Sequence, residues 1–147
     1  MADIHVAAEG NVGAPAERVY GILADYRQHH PKILPPAFSH YQVDEGGVGA
    51  GTVIRFRLTA GGRTEDYRAV VSEPEPGRVL REDYPERSSA TTFTVTPAGD
   101  TCRVRIETTG QRAGLRGVIE RLLAPRVLLP LYTDELARLD RYAREQG

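Results

Sequence analysis

Two glutamates stand at positions where acids are costly. Glu65 shares its alternation parity with Tyr67, Ala69 and Val71, and Glu82 lies between Leu80 and Tyr84. If these are strand residues, each carboxyl points to the same side as its apolar neighbours. A carboxyl in an apolar interior needs a partner or a raised pKa, which is how general acids and ligand anchors are made. The opposite register, or a strand end open to water, makes both acids ordinary surface residues. His29-His30 is a second polar pair, with His30 the candidate for proton transfer or for holding a ligand carboxylate. Adjacent side chains diverge, however, and simple exposure before Pro31 is the competing reading. Tyr41, Tyr67, Tyr84 and Tyr132 supply hydroxyls that can orient a polar ligand group, or serve as half-buried walls.

Other chemistries find no support. The histidines, His5, His29, His30 and His40, form no pair at helical ligand spacing, and Cys102 is alone. Neither a metal nor a cofactor is therefore expected. Cys102 has no base supplied to it and reads as an inert buried thiol. No phosphate loop, nucleophile elbow or zinc spacing is present.

The elements that must position these residues follow from periodicity. Ile4–Val12 reads as a strand, and Pro15 suits the start of a helix with Val19, Tyr20 and Leu23 on its apolar face. A second short helical piece is expected over Tyr26–His30, ended by Pro31. Six strands then follow, over Phe38–Asp44, Thr52–Leu58, Thr64–Val71, Val79–Tyr84, the segment holding Thr91, Phe93 and Val95, and the segment holding Cys102, Val104 and Ile106. Glycines 46, 47, 49 and 51, the Gly61-Gly62 pair, Pro74–Gly77 and Ala98-Gly99-Asp100 mark the turns. From Gly114 the period becomes helical, with Leu115, Val118, Leu122, Leu129, Tyr132, Leu136, Leu139 and Ala143 on one stripe. Pro125 and Pro130 predict a kink or a broken first part. Asp134, Arg138, Arg141 and Glu145 make the solvated face. Arg55, Arg57, Arg68, Arg103 and Arg105 mark the outer side of the sheet.

The 147 residues are expected to form one domain, 1–147, large enough to bury roughly 70% of its unfolded surface. A net charge of −1 gives no general pull towards nucleic acid or acidic membranes. No apolar run reaches the ~18 residues of a bilayer span, and Met1–His5 does not resemble a secretory leader. A cytoplasmic protein that does not insert in membranes is expected.

Ala14-Pro15-Ala16-Glu17-Arg18-Val19-Tyr20, followed by Leu23-Ala24-Asp25, resembles the opening of the helix-grip superfamily, which includes START lipid-transfer domains, the birch-pollen allergen group and polyketide cyclase/dehydrase-like proteins. Gly49-Ala50-Gly51-Thr52, the turn Glu73–Arg78 and the ending Leu136-Ala137-Arg138-Leu139 are similar to the family as well. The resemblance spans essentially the whole chain. It implies an α+β fold: a curved seven-stranded antiparallel sheet, β-α-α-β6-α, wrapped around the long C-terminal helix. It also implies an internal cavity with the His29-His30 region near its mouth.

Three functions fit that container. The first is binding or transport of a small hydrophobic molecule of lipid, polyketide or isoprenoid class. The expected lining is Ile54, Phe56, Tyr67, Tyr84, Phe93, Val104, Tyr132 and Leu136. The second is a cyclase or dehydratase acting on a polyketide-like carbonyl compound through Glu65 or Glu82 with a tyrosine or His30. The third is a protein-interaction module whose cavity is filled by side chains. An enzyme requires several convergent polar groups, whereas a carrier needs one at the mouth.

Overall fold

The change from period two to period 3.6 near residue 113 separates a sheet from the helix that covers it. The computed structural model describes the backbone of residues 2–112 and 114–146, and the side chains of these except positions 2, 112, 114–119, 121 and 122. The strands are β1 (Ala2–Val12), β2 (Phe38–Glu45), β3 (Val53–Ala60), β4 (Arg63–Glu75), β5 (Val79–Tyr84), β6 (Ser89–Ala98) and β7 (Thr101–Arg112). The helices are α1 (Ala16–Ala24) and α2 (Gly114–Glu145). All neighbouring strands are antiparallel, in the order β1-β7-β6-β5-β4-β3-β2. Sequential hairpins build β2 to β7, and β1 closes against β7. This is the helix-grip arrangement, and the strand boundaries agree with alternation to within a few residues.

The segments that carry the family resemblance meet in space. Tyr20 of α1 donates to Glu73 Oε2 at 2.6 Å, while Glu73 Oε1 accepts the Ala50 N–H at 2.8 Å. Gly49 between them has φ +67°, and a Cβ there would stand 2.4 Å from Glu73 Oε1. Only glycine fits that turn against that carboxylate.

The second helical piece takes a different form. Asp25 ends α1, and its Oδ1 accepts the N–H groups of Arg27 and Gln28 at 3.1 and 2.9 Å. This side-chain-capped turn replaces the expected helix over Tyr26–His30. A single 3-10 turn follows over His30–Ile33. Pro31 lies inside it instead of ending the preceding piece, because a missing N–H costs nothing in a first turn.

Helix α2 runs through Pro125 and Pro130 as one element, so the first part is not broken off; each proline removes one N–H while the flanking turns persist. Its C-terminal half seats on the sheet. Leu136, Leu139 and Ala143 are buried, and a Cβ on Gly10 of β1 would stand 3.6 Å from Leu136 Cδ1, leaving room for nothing larger than alanine. Leu129 is exposed, against the stripe assignment. The side chains of Leu115, Val118 and Leu122 lie outside the described residues. On the outer face Arg138 pairs with Asp134 at 3.1 Å. Among the described residues no helix is long and apolar enough to cross a membrane.

Each fully buried leucine in this seat contributes roughly 1.5–3 kcal/mol. Leu136→Asp would also bury an unpaired charge and should cost about 3 kcal/mol or more. Thermal denaturation should show a large fall in melting temperature; a variant as stable as wild type would contradict the seating.

Candidate active site

Where α2 seats, the interior is closed; towards its N-terminal half the helix stands away from the sheet and leaves a cavity of about 710 Å³. That volume suits a drug-sized ligand. Six of the eight expected lining residues face it: Ile54, Phe56, Tyr67, Tyr84, Phe93 and Tyr132. Val104 and Leu136 do not line it. Val104 is opposite Gly10 in the β1–β7 register, under the seated end of the helix where Leu136 packs. Both residues share their face with true lining residues and differ only in position along the element. The interior is hollow, whereas the interaction-module expectation had it filled by side chains.

Glu82 lies on the deep wall. In β5 the buried positions alternate as Leu80, Glu82 and Tyr84, so the parity reading holds. Its Oε2 accepts from Tyr26 Oη at 2.8 Å and its Oε1 from Tyr84 Oη at 2.8 Å. Tyr26 is carried there by the capped turn after α1: its N–H donates to the Gly47 carbonyl and its own carbonyl accepts from Tyr41 Oη. The Tyr41 hydroxyl is thus spent on backbone. Burial, reinforced by the facing Glu82 carboxylate, holds the Tyr26 and Tyr84 phenols well above their usual range; both remain neutral donors.

His30 is buried and lines the same cavity. It stacks on Tyr26 at 4.4 Å and meets the edge of Phe93 at 5.6 Å. Its Nδ1 is 2.7 Å from the Leu23 carbonyl. Since a carbonyl only accepts, the proton belongs on Nδ1. Nε2 then faces Glu82 Oε2 at 3.7 Å. His29 departs outward, with Nδ1 2.7 Å from Tyr142 Oη.

Glu65 has the expected parity but a different setting. It is half-buried near the rim, where Arg87 and Arg63 pair with it at 2.8 and 3.0 Å. The Arg87 guanidinium also lies 4.3 Å from the Tyr67 ring centroid, and Tyr67 stacks on Phe56 at 5.3 Å. Beside it, at the tip of the β3–β4 hairpin, a Cβ on Gly61 would stand 2.9 Å from Val127 Cγ2 of α2. Glu65 belongs to a charge-paired rim of the cavity, whereas Glu82 lies on its buried wall.

Sequence reasoning missed Glu135. It is buried, lines the cavity, and its carboxyl makes no hydrogen bond or ion pair with any described residue. Burial pushes its pKa well above the ordinary carboxylate range, with the charges of Glu82 and adjacent Asp134 adding to the effect. The available signal was an acid inside the stripe, between Tyr132 and Leu136. Tyr26 was missed too; its signal was the i,i+4 spacing to His30. Cys102 is buried, with its thiol pushed up to about 11 by burial. Four of the five outer-face arginines, Arg55, Arg57, Arg103 and Arg105, pair with acids, including Arg57 with Asp66 at 2.8 Å and Arg103 with Glu9 at 3.1 Å. No group of three or more His, Cys, Asp and Glu among the described residues is placed to hold a metal.

Fold and cavity together define a helix-grip protein with an acid-floored, aromatic-walled interior. The chain belongs to the family described as polyketide cyclase / dehydrase and lipid transport, which it matches over residues 3–144. Among solved structures it is similar to the KanY protein, at 30% identity and TM-score 0.85, covering 98% of this chain and 99% of that one. A protein of Thermus thermophilus is 22% identical, with TM-score 0.79 and coverage of 97% and 99%. The Zhui aromatase/cyclase of Streptomyces sp. R1128 is 17% identical, with TM-score 0.74 and coverage of 98% and 96%. The latter two likenesses show the shared fold. No curated protein matches the chain.

A carboxyl with a raised folded pKa favours the folded state fully below its unfolded value, and that contribution is lost as pH rises through the folded value. Glu135→Gln should therefore become more stable relative to wild type as pH rises above the ordinary carboxyl range, by up to about 1.4 kcal/mol per pH unit. The two should behave alike in stronger acid. Parallel melting-temperature curves across this range would contradict the assignment.

Proposed function

We propose that the protein is an enzyme of cyclase or dehydratase type acting on a polyketide-like β-hydroxy ketone. The observation that carries this reading is the pair of cavity carboxyls in opposite settings. Glu82 receives two phenol donors, whereas Glu135 has no partner among the described residues and a raised pKa. A carboxylate that accepts hydrogen bonds and a carboxyl kept neutral by burial can serve as base and acid respectively. In this mechanism Glu82 removes a proton from the carbon beside the ketone, and the electron pair forms a carbon–carbon double bond. The β-hydroxyl departs as water with the proton of Glu135. The stacked Phe56 and Tyr67 supply an apolar wall for an aromatic or polyene segment. A cytoplasmic setting belongs to the proposal, since the lone Cys102 has no intrachain partner.

Carriage of a small hydrophobic molecule is the second reading. The apolar walls and the family's lipid-transport members favour it.

The aldol of benzaldehyde and acetone is a suitable probe, because its dehydration yields the ultraviolet-absorbing enone benzylideneacetone. Wild type should catalyse the reaction. Glu82→Gln should abolish both dehydration and deuterium exchange at the carbon beside the ketone. Glu135→Gln should lose dehydration, by about 10²-fold or more, but retain exchange. Saturable binding of the probe with neither reaction would overturn the enzyme reading in favour of carriage.

A further inference from the structure

Three inward polar residues stand side by side in the sheet. Glu82 of β5 pairs across to Thr91 of β6, and Thr91 to Thr108 of β7. They form one polar row beside the apolar inward row of Leu80, Phe93 and Ile106. Valine has nearly the shape of threonine and carries no hydroxyl to bury, so packing alone does not account for the row. The two threonine oxygens are 2.7 Å apart, and Thr91 Oγ1 is 3.0 Å from Tyr84 Oη. At the far end Thr108 meets Tyr132 Oη at 2.5 Å. Tyr84 closes the near end on Glu82.

Proton counting gives this row a direction. Each hydroxyl has one proton to donate. With Tyr84 donating to the Glu82 carboxylate, Thr91 donates to Tyr84, Thr108 to Thr91 and Tyr132 to Thr108. Burial keeps both phenols protonated. Tyr132 and Glu135 are one helical turn apart on the cavity wall of α2.

The chemistry proposed above, on which this inference rests, leaves Glu82 protonated and Glu135 ionised after each turnover. We propose that Thr91 and Thr108, with Tyr84 and Tyr132, are the route by which that proton returns from Glu82 towards Glu135. Once protonated, Glu82 becomes the donor, and the four hydroxyls rotate so that the row points away from it. One proton then passes along each bond: Glu82 to Tyr84, Tyr84 to Thr91, Thr91 to Thr108 and Thr108 to Tyr132. The Tyr132 proton passes to the Glu135 carboxylate through water that enters the cavity once product has left. Glu82 loses one proton, Glu135 gains one, every hydroxyl ends with its own, and the row regains its resting direction. No electrons are exchanged. Thr91 and Thr108 act through Glu82 and Glu135 and are positioning residues.

The test compares first and later turnovers of the benzaldehyde–acetone aldol by wild type, Thr91→Val, Thr108→Val and Thr91→Ser, after melting curves verify folding. The first turnover, with protein in excess, needs no reset and should survive in both valine variants. Their steady-state rate should fall about tenfold or more, with a larger solvent deuterium isotope effect. Thr91→Ser should restore both. An active wild type with unchanged steady-state rates in the valine variants would overturn the relay and leave the acid–base reading standing. Equal loss of first and later turnovers would also overturn it, by assigning the hydroxyls to the chemical step or to structure. A wild type inert towards the aldol would overturn the acid–base reading itself, and the relay with it.

Discussion

Holding the Glu82 carboxyl out of water is the constraint on which the interior depends. An isolated carboxylate in a low-dielectric interior is so costly that it must be hydrogen-bonded, paired or neutralised. Tyr26 and Tyr84 each donate to one of its oxygens at 2.8 Å. Tyr26 reaches the site only because the Asp25 turn redirects the chain after α1, and that turn also brings His30 beneath the same carboxyl. The glycine-rich connection before β3 is tied in as well, since the Gly47 carbonyl accepts the Tyr26 N–H. A local loop geometry is thus coupled to a residue 56 positions away.

The cavity arises from unequal seating of one helix. Leu136, Leu139 and Ala143 press onto the sheet, with Leu136 over Gly10, while the segment before Leu136 stands away and lines the space. Burial in the seat supplies hydrophobic stabilisation that the hollow part lacks. Separating the two along the helix lets a stable domain keep an open interior. Glu135 sits where the seated part gives way to the hollow part, which explains how it is buried without a partner among the described residues.

Charge is divided in the same way. At the rim, Glu65 is neutralised by Arg63 and Arg87, and such half-exposed pairs contribute little to stability. On the floor, Glu82 meets two phenols and one imidazole while Glu135 has no partner among the described residues; the low dielectric there strengthens each hydrogen bond and makes each unsatisfied group costly. The proposed proton-transfer chemistry therefore belongs to the floor, and the rim is a charge-paired border.

The strands, the turns, the covering helix and the inward direction of Glu82 and most wall residues were legible in the amino-acid order. Alternation and the helical period are local consequences of backbone geometry. The same rule could not separate Glu65 from Glu82, because parity says which face a residue takes and nothing about depth along the strand. Nor could it exclude Val104 and Leu136, which share the inward face but lie under the seated end of α2. The convergence of Tyr26, His30, Glu82 and Glu135 joins a turn, a strand and a helix far apart in the chain. Only tertiary packing brings them together, because their meeting point depends on where the helix comes to rest on the curved sheet.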